Sequence, residues 1–243
     1  DTTYNSAVKA ESLGYDVKGA VNASFFSFTG ASCNTYGGVN ISDGKIMQGS
    51  NSHGQTWMLA FDSDGSANLV WSKVTFSMTA KNGAWSAPVE NVNICPETTY
   101  TGIYYYDEFC GSNTDTKAAG VEIVFEKQNG TQLTVGGTLE GKVVAVRSNT
   151  SSGGSIGAKR FVLYASNSSS YAASLRGLAI GDTVKITATE TVAGAKTIME
   201  NCNSAFVTYG YHIVSNGQNV TASNGLGESF NTARAQRSAI GIR

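Results

Sequence analysis

The sequence predicts an α+β protein dominated by a mixed β-sheet, with few short helices and a β-rich subdomain inserted at 118–192. Three observations lead there. Helical spacing of apolar residues is confined to two short stretches, β-branched alternating runs recur along the chain, and Gly, Asn and Asp punctuate those runs at turn positions. Clusters of Gly, Ser and Asn at 148–157 and 166–170 separate strands but are too short to be interdomain linkers, so the insertion is read as part of a larger fold.

The first helix is expected at 4–13, stopping at Gly14. The second lies in "SSSYAASLRGL", where a Ser N-cap precedes Ala172, Leu175 and Leu178 on one face. "GVNISDGKIMQG" reads as two strands joined at Asp43-Gly44, and "WMLAFDSDGSANLVW" as a second hairpin turning near Asp64-Gly65. Strands are also expected at 121–127, 142–147, 160–165, 183–190 and 205–209.

With 243 residues the chain is long enough to bury a real core. Its formal net charge of −1 and 14% charged residues lack the basic stripe that phosphate-backbone binding needs, so no nucleic-acid partner is expected. No run approaches the roughly 20 apolar residues of a membrane span. Sparse Lys and Glu with abundant Ser, Thr, Asn and Gly point to a secreted or cell-surface protein. Cys33, Cys95, Cys110 and Cys202 form no C-x-x-C pair. Two disulfides are possible, with Cys95–Cys110 the easiest local bridge, and four buried thiols are the alternative.

Chemistry-bearing residues are few. His53 and His212 are the two histidines, and no nucleophile elbow accompanies them, which disfavours a serine triad. His212, in "YGYHIVSNG", reads as a hydrogen-bonded histidine at a strand end. "DSDGSAN" starts like a calcium loop but lacks its later Gly and Glu, and a β-turn is the better reading. "TYTGIYYYDEF" offers either an aromatic platform for sugar rings or a strand whose tyrosines pack inward. Arg234 and Arg237, in "NTARAQRSAIGIR", can grip a phosphate through a bidentate fork, and exposed arginines without a ligand are the plain alternative. Glu122 is an acidic residue inside the apolar strand "GVEIVF", a costly placement unless it is paired or functional.

Taken in order, "AVNASFF", "YGGVNISDGKI", "YTGIYYYDEFCGSNTDTKAAGVEIVF", "RFVLYASNSSSYAASLRGLAIGDTVKI", "YHIVSNGQNV" and "RAQRSAIGI" resemble successive motifs of the phosphodiester glycosidase family. Ala23 and Ser24 replace two glycines of its A-I/V-N-G-G-F-F signature, and Gln236 replaces the proline of its R-x-P-R motif. The family continues into an N-x-D-G-G-G-S segment, so this chain of residues 1–243 resembles the N-terminal portion of a longer domain. The partner implied is then the remainder of that domain.

The resemblance implies hydrolysis of a sugar-1-phosphate diester at the glycosidic carbon, releasing free sugar and a phosphomonoester. No cofactor and no metal are implied. Catalytic roles fall to Glu122 and Arg237, the arginine steadying the departing phosphate. Asn22 would bond a sugar hydroxyl or the phosphate, backed by Phe25 or Phe26, with a side chain bridging two backbone turns as its plain alternative, and Arg234, Ser238 and His212 are also in the substrate-binding set. The rival reading is a non-catalytic secreted carbohydrate-binding or exopolysaccharide-associated module on the same scaffold.

Overall fold

A computed structural model describes residues 3–18, 20, 38–52, 54–95, 100–128, 132–150, 153–208, 213–220 and 239–242. With 44% strand against 13% helix among the described residues, the structure is mostly β rather than clearly α+β. The chain runs through α1 (Thr3–Ser12), β1 (Val39–Ser42), β2 (Lys45–Ser50), β3 (Thr56–Phe61), β4 (Ala67–Ser72), β5 (Val74–Ala80) and β6 (Trp85–Pro88). There follow β7 (Asn91–Val92), β8 (Tyr104–Tyr106), β9 (Gly120–Lys127), β10 (Thr138–Thr150), β11 (Arg160–Ser166) and α2 (Ala172–Arg176). The last elements are β12 (Thr183–Glu190), α3 (Lys196–Asn201), β13 (Ser204–Val207), β14 (Val214–Ser215) and β15 (Gln218–Asn219).

Thirteen strands form one sheet in the order β4-β3-β13-β1-β2-β7-β8-β11-β9-β10-β12-β5-β6. The β7–β8 pairing is parallel, which makes the sheet mixed. The expected hairpin at Asp43-Gly44 joins β1 to β2, and both turn residues take the positive φ that such a tight connection needs. The 62–66 turn joins β3 to β4, with the Asp64 carboxylate accepting the Ser66 N–H at 2.9 Å. This is the β-turn reading of "DSDGSAN". The hairpin of β14 and β15 turns at Asn216-Gly217, again at positive φ.

The sheet doubles over on itself. Asn51, just past β2, uses its carboxamide to hold β5, near the opposite end of the strand order. Its Nδ2 donates to the Phe76 and Val89 carbonyls at 2.8 Å each, and its Oδ1 accepts the Phe76 N–H at 2.8 Å. Phe76 then packs on the bare backbone of Gly49, where a Cβ would overlap the ring. One main core results, combining Ile46, Met58 and Phe76 with Ile123, Phe125 and Leu163.

The stretch expected as an inserted subdomain supplies β9 to β12, and these lie next to one another and to β8 and β5 in the same sheet. Helix α2 is short. Ser169 stands at its start, its hydroxyl accepting the Tyr171 N–H at 3.2 Å, and Ala172 and Leu175 point into the core. Residues 239–242, the described part of the "AIGI" motif, are exposed and belong to no strand.

Candidate functional site

Strands β8, β11 and β9 are covered on both faces. In β9, Val121, Ile123 and Phe125 alternate into the main core, whereas Val124 joins a second apolar cluster on the opposite face with Cys95, Tyr100, Tyr104, Tyr106, Ile156, Val162 and Tyr164. The tyrosines of "TYTGIYYYDEF" therefore pack inward: Tyr104, Tyr105 and Tyr106 are each at most 2% exposed. No sugar platform is available there.

Glu122 shares the parity of Val124 and is completely buried. Its Oε1 accepts the Thr114 hydroxyl at 2.5 Å and the Thr116 hydroxyl at 3.5 Å, and its Oε2 faces Arg147 Nη1 at 3.3 Å. Arg147 is the cross-strand neighbour of Glu122 on β10, a register reached only after one irregularity between Val143 and Ala145. A second guanidinium nitrogen, Nη2, donates to the Ser155 carbonyl at 2.7 Å. The arginine, anchored at both Nη atoms, keeps 29% of its side chain exposed.

Two loops lie across this pair. Thr114 N–H donates to the Gly154 carbonyl at 3.1 Å, Gly154 N–H donates to the Thr114 hydroxyl at 3.0 Å, and Ile156 N–H donates to the Ser112 carbonyl at 3.0 Å. Gly154 passes so close that a Cβ there would overlap the Arg147 guanidinium and come within 2.7 Å of Glu122 Oε2. Glycine at this position is a steric requirement of the ion pair.

A second buried charge network sits past the far end of β8. Asp107, 1% exposed, accepts Asn93 Nδ2 at 2.8 Å, the Tyr105 hydroxyl at 2.9 Å and the Phe109 N–H at 3.1 Å. Lys127 Nζ stands 3.4 Å from Asp107 and 2.8 Å from Glu108. Burial raises the Asp107 carboxyl above its ordinary value, with the Glu108 charge adding to the shift, against the opposing pull of Lys127 and of hydrogen bonds from Phe109 and Asn93. For Glu108 burial also pushes upward, but hydrogen bonds from Lys127 and Gln132 prevail and hold it below its ordinary value. Every oxygen of Asp107 is partnered, as a structural clamp between β7, β8 and β9 requires.

Of the residues singled out from the sequence, the structure places Glu122. Asn22, Phe25, Phe26, Arg234, Arg237, Ser238 and His212 lie outside the described residues, as do Cys33 and His53. The partner found for Glu122 is Arg147, which sequence reading passed over although it stands in the alternating run "KVVAVRS". Among the described residues no three His, Cys, Asp or Glu side chains gather as a metal site, and no helix is long and apolar enough to cross a membrane.

No protein-family model matches the chain, and no curated protein matches it. Solved structures share its fold, among them the following two. A hypothetical protein from Synechocystis aligns with 88% of this chain and 36% of its own length, at 17% identity and a TM-score of 0.58. A putative exported protein from Burkholderia pseudomallei aligns with 80% of this chain and 42% of its own, at 18% identity and a TM-score of 0.56. The chain thus spans well under half the length of these two structures.

Proposed function

We propose that this chain forms part of a secreted phosphodiester glycosidase that cleaves a sugar-1-phosphate diester at the glycosidic carbon, and that Arg147 grips the phosphate. The observation that carries the reading is the Arg147 guanidinium, held from below by the buried Glu122 at 3.3 Å while 29% of the side chain faces solvent. A planar fork fixed in this way can offer two parallel N–H donors to phosphate oxygens. The motif order in the sequence, in which Glu122 falls in the segment "GVEIVF", supports the same reading. Export is supported by the description of the Burkholderia neighbour.

In the reaction, water oxygen bonds to the anomeric carbon, the bond from that carbon to the phosphate oxygen breaks, and its electron pair leaves with the phosphomonoester. The water proton passes to solvent. Phosphate leaves readily, so the demand is for a cation on the departing oxygens more than for a strong general acid. Glu122 serves as a positioning residue here, since it is shielded from any substrate and spends both oxygens on Thr114, Thr116 and Arg147. The test is release of free sugar from a sugar-1-phosphate methyl diester by the chain and by Arg147→Ala and Arg147→Lys variants. Loss of turnover in both variants, each shown to be folded at the assay temperature, supports the assignment; wild-type turnover in either removes it.

One observation favours the non-catalytic carbohydrate-binding reading. Trp71, 42% exposed on the edge strand β4, meets Trp57 with ring centroids 5.2 Å apart and an interplanar angle of 60°. Its indole N–H donates to the Gln55 side-chain carbonyl at 2.5 Å, which leaves the Gln55 amide beside an exposed aromatic face. Aromatic faces of this kind suit the C–H face of a pyranose.

A further inference from the structure

The outer cluster on β8, β9 and β11 holds two cysteines whose position the catalytic reading does not use. Cys95 is 1% exposed within it, and Cys110 packs against it from the covering loop, only partly buried. A specific clamp ties together the segments that lead to them. Asn93 Nδ2 donates to Asp107 Oδ1 at 2.8 Å, the Asp107 N–H donates back to Asn93 Oδ1 at 2.8 Å, and the Cys110 N–H closes a turn onto the Asp107 carbonyl at 2.9 Å. Two residues beyond Asn93 and three beyond Asp107, the chain reaches the two cysteines.

The cluster that contains Cys95 and receives Cys110 also contains the Tyr106 hydroxyl. That hydroxyl is fully buried and has no hydrogen-bond partner among the described residues. Cys202 stands apart in the main core, its thiol donating to the Met199 carbonyl at 3.5 Å. Among the described cysteines, Cys95 and Cys110 are therefore the two that share a neighbourhood.

We infer that Cys95 and Cys110 are an oxidation site, joined in an intramolecular disulfide when the chain folds in an oxidising compartment. In balanced form, a small-molecule disulfide such as oxidised glutathione is attacked by one thiolate, and the mixed disulfide is then resolved by the other cysteine. The protein loses two electrons and two protons, and two molecules of glutathione thiol are released. The cross-link closes the segment carrying β8 and ties the loop that continues into Thr114, whose hydroxyl caps Glu122. Cys95 Sγ, which in the thiol form faces the Thr114 carbonyl at 3.6 Å, exchanges that donor contact for the covalent bond. A bridge of this kind stabilises chiefly by restricting the unfolded chain.

The experiment is refolding of the full chain in a glutathione redox buffer, trapping of free thiols by alkylation in denaturant, and non-reducing peptide mapping. The expected result is a Cys95–Cys110 linked peptide, with a melting temperature lowered by reductant in the wild type but not in a Cys95→Ser/Cys110→Ser double variant. Because that variant can fold with its thiol contacts replaced, Cys95→Ser and Cys110→Ser are also mapped singly, and each must leave the other cysteine alkylable. Linkage of either cysteine to Cys33 or Cys202, or complete alkylation of both after oxidative refolding, overturns the inference.

Discussion

Glu122 and Arg147 face each other across the β9–β10 pairing, a carboxylate with no solvent exposure meeting an arginine whose side chain is 29% exposed, 3.3 Å apart. Because Glu122 cannot be hydrated, its charge depends on Arg147 and the threonine hydroxyls. Removing one partner leaves the other uncompensated, which for buried pairs costs about 3–5 kcal/mol. Glu122→Ala is expected to lose stability in that range by urea unfolding. Glu122→Gln, which keeps an acceptor for Thr114, should lose distinctly less. Equal losses would mean that the Thr114 contact contributes nothing.

Gly154→Ala tests the close passage of the covering loop. A methyl group at this position overlaps Arg147 and crowds Glu122, so the loop or the arginine must move. Overpacking of this kind costs about 1–3 kcal/mol. The accompanying sign is faster amide exchange at Thr114 and Ile156, whose N–H groups bond across the two loops. A neutral Gly154→Ala variant with unchanged exchange would contradict the packing described.

The Asp107 network predicts a pH effect of definite sign. Burial raises the Asp107 carboxyl, so between its ordinary value of about 4 and its higher folded value the native chain binds more protons than the unfolded one. Its contribution is present at the acid end of that window and is lost as the pH rises through it. Glu108 works in the opposite sense, adding stability above its ordinary value that disappears as the pH falls through its lowered folded value. Compared with Asp107→Asn, the wild type should therefore lose stability as the pH is raised from about 4. A pH-independent difference between the two proteins would remove the assignment.

The buried tyrosines set the alkaline limit. Burial pushes Tyr105 and Tyr106 well above the ordinary phenol value, with Asp107 adding to the shift for Tyr105 and Cys95 for Tyr106. These groups stay protonated in the native chain while the unfolded chain loses its phenolic protons. Stability is thus unaffected by them below about pH 10 and falls above it. Ultraviolet titration should show their ionisation appearing together with unfolding. Ionisation of all tyrosines in a chain that remains native by circular dichroism would be inconsistent with this burial.

How much of this could be read in the sequence depended on how local the determinant was. The Asp43-Gly44 hairpin and the strand Gly120–Lys127 were legible because a turn dipeptide and a β-branched run carry their own signal. The strand Val74–Ala80 alternates between core and surface, and Asn82-Gly83 between it and Trp85–Pro88 is a hairpin dipeptide at positive φ, yet the sequence reading passed over both. Glu122 stood out as a carboxylate in an apolar strand. Its partner did not, because the Arg147 register follows a strand irregularity that sequence spacing does not reveal. The α+β expectation overweighted two helical stretches, of which one gives the five-residue helix Ala172–Arg176.

For the sugar-binding reading, the exposed Trp71 supplies the separating variant. Trp71→Ala should abolish retention on an immobilised glycan while leaving diester hydrolysis of a soluble substrate intact, if binding and chemistry occupy different places on the sheet. Loss of hydrolysis with retained glycan binding would assign Trp71 to the reacting site instead.

Sugar release from a sugar-1-phosphate diester, measured for wild type beside Arg147→Ala with both proteins shown to be folded, goes most directly to the main proposal. Removing a cation that stabilises the leaving phosphate should cost about 10²–10³ in kcat, and inorganic phosphate should inhibit the wild type far better than the variant. Equal rates in the two proteins, or no turnover by the folded wild type, would contradict it.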